Sequence, residues 1–356
     1  MVTQYNEKHL DFSEQKLFVG IDVHLKSWTV TIRTKQLEIN TYSMNPDPKQ
    51  LAKHLHAHYP NADYYSVYEA GFCGLSVHRE LIKLGIHNMV VNPADVPTKH
   101  KERDRKQDKV DSRKLARELA DNSLDAIYIP TKEQEAIRSL ARLRIQITQR
   151  NTQIKNRIKQ FLYTKGVTIP ENSEISHWSG SFIHWLKNLD LSQSHNRYYL
   201  DSLLIDLEHE RKQMLDLLRR MRSIAKENKT IQYLQTVKGI GPKTAFTFYA
   251  EIIDIDRFPN LDNLLSFLGL VPSTKSTGPN DKTVGMTSRY NQYLRSLLIE
   301  AAWIAVRKDP ALTLSFEKFT KTKTKQRAII KITKKLVNRM RFVWRNQTEY
   351  VCAVIK

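Results

Sequence analysis

Cysteine is scarce in this chain, and long apolar runs are absent. The 356 residues include two cysteines, Cys73 and Cys352, and no CxxC pair. Two isolated cysteines exclude zinc-finger spacing and argue against a disulfide framework. No apolar run reaches the ~18 residues of a membrane span, and no signal peptide precedes Phe18. These absences predict a soluble cytoplasmic protein that does not act in a membrane.

The chain carries a large excess of positive charge. Its 57 lysines and arginines outnumber 37 aspartates and glutamates, which gives a formal charge of +20. Such an excess is hard to explain for an enzyme of neutral metabolites and favours a polyanionic partner, either nucleic acid or an anionic membrane surface. A nucleic-acid-binding protein is therefore the leading prediction.

The first third of the chain alternates strand-like and helix-like segments. Apolar or alternating runs predict a β-hairpin at residues 18–32 and strands at 64–69 and 88–93, and amphipathic stretches predict helices at 48–58 and 75–84. This rhythm predicts an α/β domain with a mixed central sheet over residues 1–127.

Two long amphipathic stretches follow, at residues 132–165 and 196–228. Their helical spacing predicts an antiparallel or intermolecular coiled coil, with a plain helical spacer as the alternative. We therefore predict a helical region over 128–228, which would offer a dimerisation surface. A mostly α-helical domain is predicted over 229–356, interrupted by a polar loop at 272–288.

Four carboxylates stand on segments that a sheet could bring together. Asp22 lies in an apolar strand and Glu69 ends a later one, while Asp108 and Asp111 share one face of a predicted helix. Each could be structural, as a strand-end cap, a helix N-cap or a partner of a neighbouring arginine. Together they form an oxygen donor set that suits Mg²⁺ or Mn²⁺, and two such ions could clamp a phosphoryl group.

A glycine-rich turn opens the last domain. In Lys238-Gly239-Ile240-Gly241-Pro242-Lys243, the Gly-x-Gly turn leads into a helix whose N-terminal N–H groups could bind an anion. The chain lacks the P-loop and dinucleotide patterns. A helix-hairpin-helix that grips a nucleic-acid backbone is one interpretation, and a purely structural turn is the other.

Hydroxyl and basic residues mark the rest of this domain. The polar loop contains Ser276 and Thr277, either of which would need a base or a metal-polarised phosphate to act as a nucleophile. A terminal amphipathic helix places cations on its outer face, where they could contact phosphates or only be solvated. The basic residues singled out in the loop and tail are Arg289, Arg295, Lys334, Lys335 and Arg339.

These motifs, in this order, resemble the DEDD transposases, the Piv/MooV-like recombinases of insertion sequences. The resemblance rests on Phe18-Val19-Gly20-Ile21-Asp22, Tyr68-Glu69-Ala70-Gly71 and Gln107-Asp108-Lys109-Val110-Asp111 in the first half of the chain. In the second half it rests on Gly239-Ile240-Gly241-Pro242, Ala250-Glu251-Ile252, Phe267-Leu268-Gly269-Leu270-Val271-Pro272 and Leu294-Arg295.

The resemblance implies a RuvC-like (RNase H-like) first domain and a recombinase that excises and inserts its own mobile element. It implies that Asp22, Glu69, Asp108 and Asp111 hold Mg²⁺, and that a structured guide RNA pairs with donor and target DNA. It further implies a serine that forms a transient phosphoserine link to DNA, in a composite site built by different subunits of a dimer or tetramer. The expected location is the bacterial cytosol or nucleoid.

The chain departs from the family pattern at two places. Relatives typically carry the serine directly before the loop glycine, where this chain has Thr277 next to Gly278. Ser276, one residue earlier, is the preferred nucleophile, and Thr277 is the alternative. The segment Arg289-Tyr290-Asn291 also has tyrosine where the family's Arg-Gly-Asn turn has glycine.

Two other functions are compatible with the same residues. A RuvC-like junction nuclease or resolvase would use the carboxylates and water without a covalent intermediate. A non-catalytic basic scaffold would bind nucleic acid with no need for the carboxylates. Salt-sensitive binding is expected under all three hypotheses, so binding alone does not distinguish them.

Overall fold

The chain forms two compact units, Met1–Ile129 and Pro130–Lys356. The structure, a computed structural model, describes residues 11–97, 108–170, 178–277 and 280–352. Within these ranges it contains a five-stranded mixed sheet, a two-stranded hairpin and twelve α-helices. The predicted combination of a mixed-sheet domain with a largely helical remainder is confirmed. The second unit takes in both the predicted spacer and the predicted C-terminal domain, and the division into three domains stays a prediction.

The first unit alternates strands and helices, as the sequence predicts. In chain order its elements are β1 Lys16–Val23, β2 Trp28–Arg33, β3 Glu38–Met44, α1 Pro48–His58, β4 Asp63–Glu69, α2 Ser76–Lys83, β5 His87–Val91, the 3₁₀ turn Pro93–Asp95 and α3 Asp108–Ala120. The strand order is β3-β2-β1-β4-β5. The central strand β1 is antiparallel to β2 and parallel to β4, and β5 is parallel to β4.

The two faces of this sheet bury different sets of side chains. Ile21 of β1 shares one apolar cluster with Leu55 of α1 and Leu81 of α2. On the opposite face, Val67 of β4 packs with Leu115 of α3. Because successive side chains of a strand point to opposite faces, helix α3 covers one side of the sheet and helices α1 and α2 cover the other.

The second unit is mostly helical. In chain order its elements are α4 Lys132–Thr164, α5 Gly180–Lys187, α6 Ser194–Glu227, α7 Lys229–Thr236, α8 Pro242–Ile252, α9 Leu261–Phe267, β6 Pro272–Thr277, β7 Asn280–Met286, α10 Arg295–Lys308, α11 Pro310–Thr320 and α12 Lys325–Asn346. No helix in the described ranges combines the length and the apolar character that a membrane crossing requires.

Helices α4 and α6 form a long antiparallel pair. The Arg150 Nε donates to Glu210 Oε1 at 2.7 Å, and farther along the rings of Phe161 and Tyr199 lie 5.0 Å apart. A capping box at Thr131 fixes the start of α4. The predicted positions of both long helices are confirmed, because amphipathic periodicity over eight or more turns is a strong signal.

The predicted polar loop at 272–288 is wrong in one respect, because much of it forms a β-hairpin. Strand β6 pairs with β7 in the register Pro272↔Met286, Ser276↔Asp281 and Thr277↔Asn280. Both strands are composed mainly of polar residues, so the apolar alternation that identifies a strand in a sequence is missing. Backbone pairing between the strands does not require that alternation.

The core of the second unit lies between its C-terminal helices. Phe246 and Phe248 of α8, Leu298 of α10 and Leu336 and Met340 of α12 are all buried in one cluster. The apolar positions of α12 recur at helical spacing, which leaves its lysines and arginines on the opposite face.

Candidate catalytic carboxylates and nucleic-acid interface

Asp22 and Glu69 lie at the same end of two neighbouring parallel strands. Ile21 of β1 pairs with Tyr68 of β4, so the next residues along the two strands are Asp22 and Glu69. Glu69 is the last residue of β4, and Asp22 is the last but one of β1. The carboxyl ends of parallel strands are a common place for functional side chains in α/β sheets.

Both carboxylates belong to the face of the sheet that α3 covers. Gly20 pairs with Val67, and Val67 packs against Leu115 of α3. Residues two apart on a strand point to the same side. Asp22, two residues after Gly20, and Glu69, two residues after Val67, therefore share this face.

Helix α3 rests directly on the backbone of β1. A Cβ atom built on Gly20 would lie 2.1 Å from the Ser112 carbonyl oxygen and 2.5 Å from the Ala116 nitrogen. The Ser112 hydroxyl also lies 2.9 Å from the hydroxyl of Thr31, which is the β2 residue paired with Gly20. The absence of a side chain at residue 20 thus allows α3 to approach the strand that carries Asp22.

The helical carboxylates stand at the start of α3. Asp111 is half-buried and directly precedes Ser112. Asp108 is the first residue of the helix, one turn earlier, and its side chain lies outside the described residues. Among the described side chains, no three His, Cys, Asp or Glu residues are grouped closely enough to hold a metal ion.

His24 is a neighbour of Asp22 that the sequence did not identify. Its Nε2 lies 3.2 Å from Asp22 Oδ2, and the Asp22 side chain is 20% exposed. The i, i+2 spacing of the pair, at the end of a strand, is the signal from which this contact could have been predicted. Asp22 is thus not sealed in the apolar core, and solvent reaches its carboxylate.

The glycine-rich turn between α7 and α8 contains two glycines with different roles. Gly239 has φ +93°, and a Cβ on it would lie 2.7 Å from the Ala301 carbonyl oxygen. It therefore packs against α10 in a conformation that favours glycine. Gly241 is the N-cap of α8 and has open space around its Cα. Lys238 and Lys243 are exposed on either side of it.

A cavity of about 680 Å³ opens beside this turn, within the second unit. Gly241 and Lys243 line it, together with Arg222 and Lys226 at the end of α6 and Glu300 of α10. Three cations beside the exposed N–H groups of a helix N-terminus form an electropositive surface. The turn thus has the charge expected of a phosphate contact.

The predicted basic residues after the hairpin have different surroundings. Arg295 stacks on the ring of Tyr290, with 4.5 Å between its Cζ and the ring centroid. Its Nη1 donates to the Thr287 carbonyl at 3.1 Å. Arg289 is exposed. The backbone of Ser276 and Thr277 lies in β6, but both side chains lie outside the described residues.

The basic residues of α12 also fall into two groups. Lys335 is exposed and Lys334 is half-exposed. Arg339, in contrast, donates from Nη1 to Oδ2 of Asp309 at 2.7 Å, and that aspartate is buried. Lys334 and Lys335 are therefore available to a polyanion, while the Arg339 guanidinium holds α12 against the N-cap of α11.

Two family models match the chain. One, described as a transposase and covering the DEDD proteins of IS110 elements, matches residues 19–165, and the model of the IS116/IS110/IS902 transposases matches residues 231–316. The first match contains Asp22, Glu69, Asp108 and Asp111, and the second contains the glycine-rich turn and the hairpin.

Individual relatives carry transposase names. The chain is 28% identical over 239 residues to y4qE of Sinorhizobium fredii, which bears the name of a transposase, with 67% of this chain and 58% of the relative covered. It is 27% identical over 232 residues to the transposase for the insertion sequence element IS1111A of Coxiella burnetii, with 65% and 63% covered. The chain thus spans about three fifths of the length of these relatives.

Proposed function

We propose that the chain is a transposase of the DEDD family of the IS110, IS116 and IS902 elements and that it cuts and rejoins DNA. The matches of two family models, over residues 19–165 and 231–316, support the proposal. The observation that carries the proposal is the placement of Asp22 and Glu69 on neighbouring parallel strands, on the sheet face that α3 covers. The positive charge of the chain supports DNA as the substrate.

Asp22, Glu69, Asp108 and Asp111 would together hold Mg²⁺ or Mn²⁺. Carboxylate oxygens are the ligands that these ions prefer, and the exposure of Asp22 leaves its carboxylate accessible. A bound ion would polarise the phosphate oxygens of the DNA. The protein would position these ligands through its backbone. The ends of β1 and β4 carry Asp22 and Glu69, and the start of α3 carries Asp108 and Asp111.

The metal-site hypothesis is tested by Asp22→Asn. The variant should lose strand exchange and keep its affinity for DNA, because the amide has nearly the same shape but a weaker affinity for a cation. Asp63→Asn is the matched control, since Asp63 is an exposed carboxylate at the other end of β4. Normal strand exchange by Asp22→Asn would refute the metal site.

We propose Ser276 as the nucleophile, with Thr277 as the alternative. In this step a bond forms between the serine oxygen and phosphorus while a P–O bond to deoxyribose breaks, and the freed hydroxyl of the strand can later reverse the step. Ser276→Ala should abolish a covalent protein–DNA adduct. Recovery of the adduct with Ser276→Ala, but not with Thr277→Val, would assign the role to Thr277.

The adduct also separates this proposal from the RuvC-like nuclease. Hydrolysis by water yields free DNA ends and no protein-linked strand, so denaturing gels of the reaction distinguish the two. A non-catalytic scaffold would retain all of its effects when the four carboxylates are changed to amides. These experiments test three function classes on one substrate.

A structured guide RNA and a homo-oligomer are part of the same proposal, together with action in the bacterial cytosol or nucleoid. The helix-hairpin-helix-like turn at Gly239 and Gly241 and the exposed Lys335 would contact nucleic-acid backbones. Sequencing of the RNA that co-purifies with the protein tests for the guide.

The α4–α6 pair would be the coiled coil that joins subunits, since Tyr198 and Ile205, seven residues apart on α6, are 77% and 67% exposed. Ile205→Glu should lower the mass measured by light scattering.

A further inference from the structure

A second, smaller pocket lies directly after the β6–β7 hairpin. It has a volume of about 460 Å³ and belongs wholly to the second unit. Its lining is aromatic, cationic and amide in character: Arg142, Ser288, Tyr290, Asn291, Gln292 and Tyr293. Except for Arg142, which comes from α4, these residues form the segment that connects β7 to α10.

Tyr290 provides a fixed aromatic surface at this pocket. Its Cβ would lie 2.2 Å from a Cβ built on Gly269, which has φ +67°. The tyrosine therefore packs against a backbone position that only glycine accommodates. Arg295 stacks on the ring at 4.5 Å, and Tyr290 is still 45% exposed. An anchored aromatic ring with this much exposure can accept a flat ligand.

Arg142 and Tyr293 form a second stacked pair, with 4.7 Å between the guanidinium carbon and the ring centroid. The guanidinium is held from behind by Glu251. Its Nε donates to Oε1 at 2.7 Å, and its Nη2 donates to Oε2 at 3.0 Å. Glu251 is 2% exposed, so this two-point ion pair holds the guanidinium in one orientation. In the described contacts Glu251 accepts from Nε and Nη2 of Arg142, so Nη1 is the guanidinium nitrogen that could donate to a ligand.

Asn291 joins the two halves of the pocket. Its Nδ2 donates to Glu251 Oε2 at 2.8 Å, and its Oδ1 accepts from the backbone N–H of Tyr293 at 2.9 Å. The backbone N–H of Asn291 donates to the Phe267 carbonyl at 2.9 Å. One buried carboxylate thus fixes both an arginine and the turn that bears two tyrosines. A pocket fixed in advance loses little conformational freedom when a ligand binds.

We propose that this pocket binds an unpaired nucleotide of the DNA substrate. Exposed aromatic rings and guanidinium planes are the groups on which unpaired bases stack, and arginine also contacts phosphate. Amide groups such as Gln292 can hydrogen-bond the edge of a base. DNA is favoured because it is the substrate of the proposed function, on which the inference rests in this respect, and because the segment that lines the pocket directly follows β7 in the chain.

The test measures the affinity of the full-length protein for short fluorescent oligonucleotides by anisotropy. The probes are a mixed-sequence single-stranded DNA, an abasic DNA of equal length, a duplex and a single-stranded RNA of the same sequence. Tyr290→Leu should weaken binding of the single-stranded DNA about 5- to 100-fold, as expected for loss of base stacking. Its affinities for the abasic strand and the duplex should match those of the unaltered protein.

Two variants control for folding and for non-specific effects. Tyr290→Phe keeps the ring and should bind like the unaltered protein. A packing defect in Tyr290→Leu would also weaken binding of the abasic strand and the duplex, so unchanged affinities for those two probes exclude it. Tyr163→Leu removes a tyrosine that is 62% exposed on α4 and should change nothing. The slope of affinity against salt concentration should be the same for Tyr290→Leu, since stacking releases no counterions.

Several outcomes would overturn the inference. They are equal losses of affinity for normal and abasic strands, a loss confined to RNA, and a loss in Tyr163→Leu as large as that in Tyr290→Leu. A failure of the proposed function can be told apart from a failure of this inference. If strand exchange is never observed but single-stranded DNA binding depends on the ring of Tyr290, the nucleotide pocket is supported and the transposase proposal is refuted.

Discussion

Replacement of Gly20 by alanine adds one methyl group at the contact between β1 and α3. The new Cβ would lie 2.1 Å from the Ser112 carbonyl oxygen and 2.5 Å from the Ala116 nitrogen. Neither atom can rotate away, because both belong to the helix backbone. The φ of Gly20 is not in the left-handed region, so the effect of the substitution is steric. Helix α3 would have to move by more than about 1 Å to restore ordinary contact.

The cost of this movement can be worked out from the contacts it changes. Overpacking of a close-packed interior typically costs about 1–3 kcal/mol. A shift of about 1 Å would also lengthen the 2.9 Å contact between the hydroxyls of Thr31 and Ser112 beyond hydrogen-bonding distance. That loss adds about 1 kcal/mol. We expect Gly20→Ala to lower the free energy of unfolding of the first unit by about 2–4 kcal/mol.

Hydrogen exchange measured by mass spectrometry is the suitable assay, because it reports on α3 and β1 separately from the second unit. The amides of both elements should exchange faster in Gly20→Ala. Gly71→Ala is the control in the same unit, since its added Cβ would meet nothing closer than 3.9 Å. If Gly20→Ala exchanges like Gly71→Ala, α3 does not rest on β1 as described. Under the proposed function strand exchange should fall as well, because displacements of about 1 Å at a reaction centre can cost ~10²-fold in rate.

Three further predictions concern the second unit. Glu251→Gln should lower the free energy of unfolding by about 2–3 kcal/mol in thermal unfolding. The loss is smaller than for a fully buried pair because the Arg142 side chain is 39% exposed. Asp256→Asn is the control, since Asp256 forms an exposed pair with Arg345 Nε at 2.7 Å, and it should cost under ~1 kcal/mol. Burial and its hydrogen bond to an aspartate raise the pKa of Tyr350 to about 12. The folded state therefore favours the neutral phenol, so stability should fall between about pH 10 and 12, and Tyr350→Phe should remove that dependence. Gly239→Ala should cost more than about 2 kcal/mol in chemical denaturation, because it adds a clash to an unfavourable φ, and an unchanged midpoint would contradict the close approach to α10.

The elements that carry the four carboxylates could be predicted because they follow from local patterns. The sequence predicts a strand through Asp22, a strand that ends at Glu69 and a helix that begins near Asp108, and the structure contains all three. The metal site itself stays a prediction. The contact of Gly20 with Ser112 could not be predicted in the same way, since it depends on how closely two elements approach. Nothing near either residue in the chain indicates that distance.

The ion pairs of the second unit were missed for a related reason. Arg142 and Glu251 lie 109 positions apart in sequence, and neither stands in a charge pattern that indicates its partner. For Arg339 the sequence predicts a nucleic-acid contact, which stays a prediction, but it does not indicate the bond to Asp309, 30 positions away. The hairpin was missed because its strands are polar. In each case the decisive interaction is tertiary, and single-sequence patterns report only local structure.

The pairing of β1 with β4 has a consequence for the order of synthesis. Strands β1, β2 and β3 can form an antiparallel meander as soon as they leave the ribosome, because each connection between them is short. Glu69 joins Asp22 only after β4 is made and crosses over to lie beside β1, and α3 follows later still. A nascent chain therefore passes through a stage at which it has a sheet but an incomplete set of carboxylates. Chains that terminate before α3 would lack Asp108 and Asp111, two of the four carboxylates on which the proposed function depends.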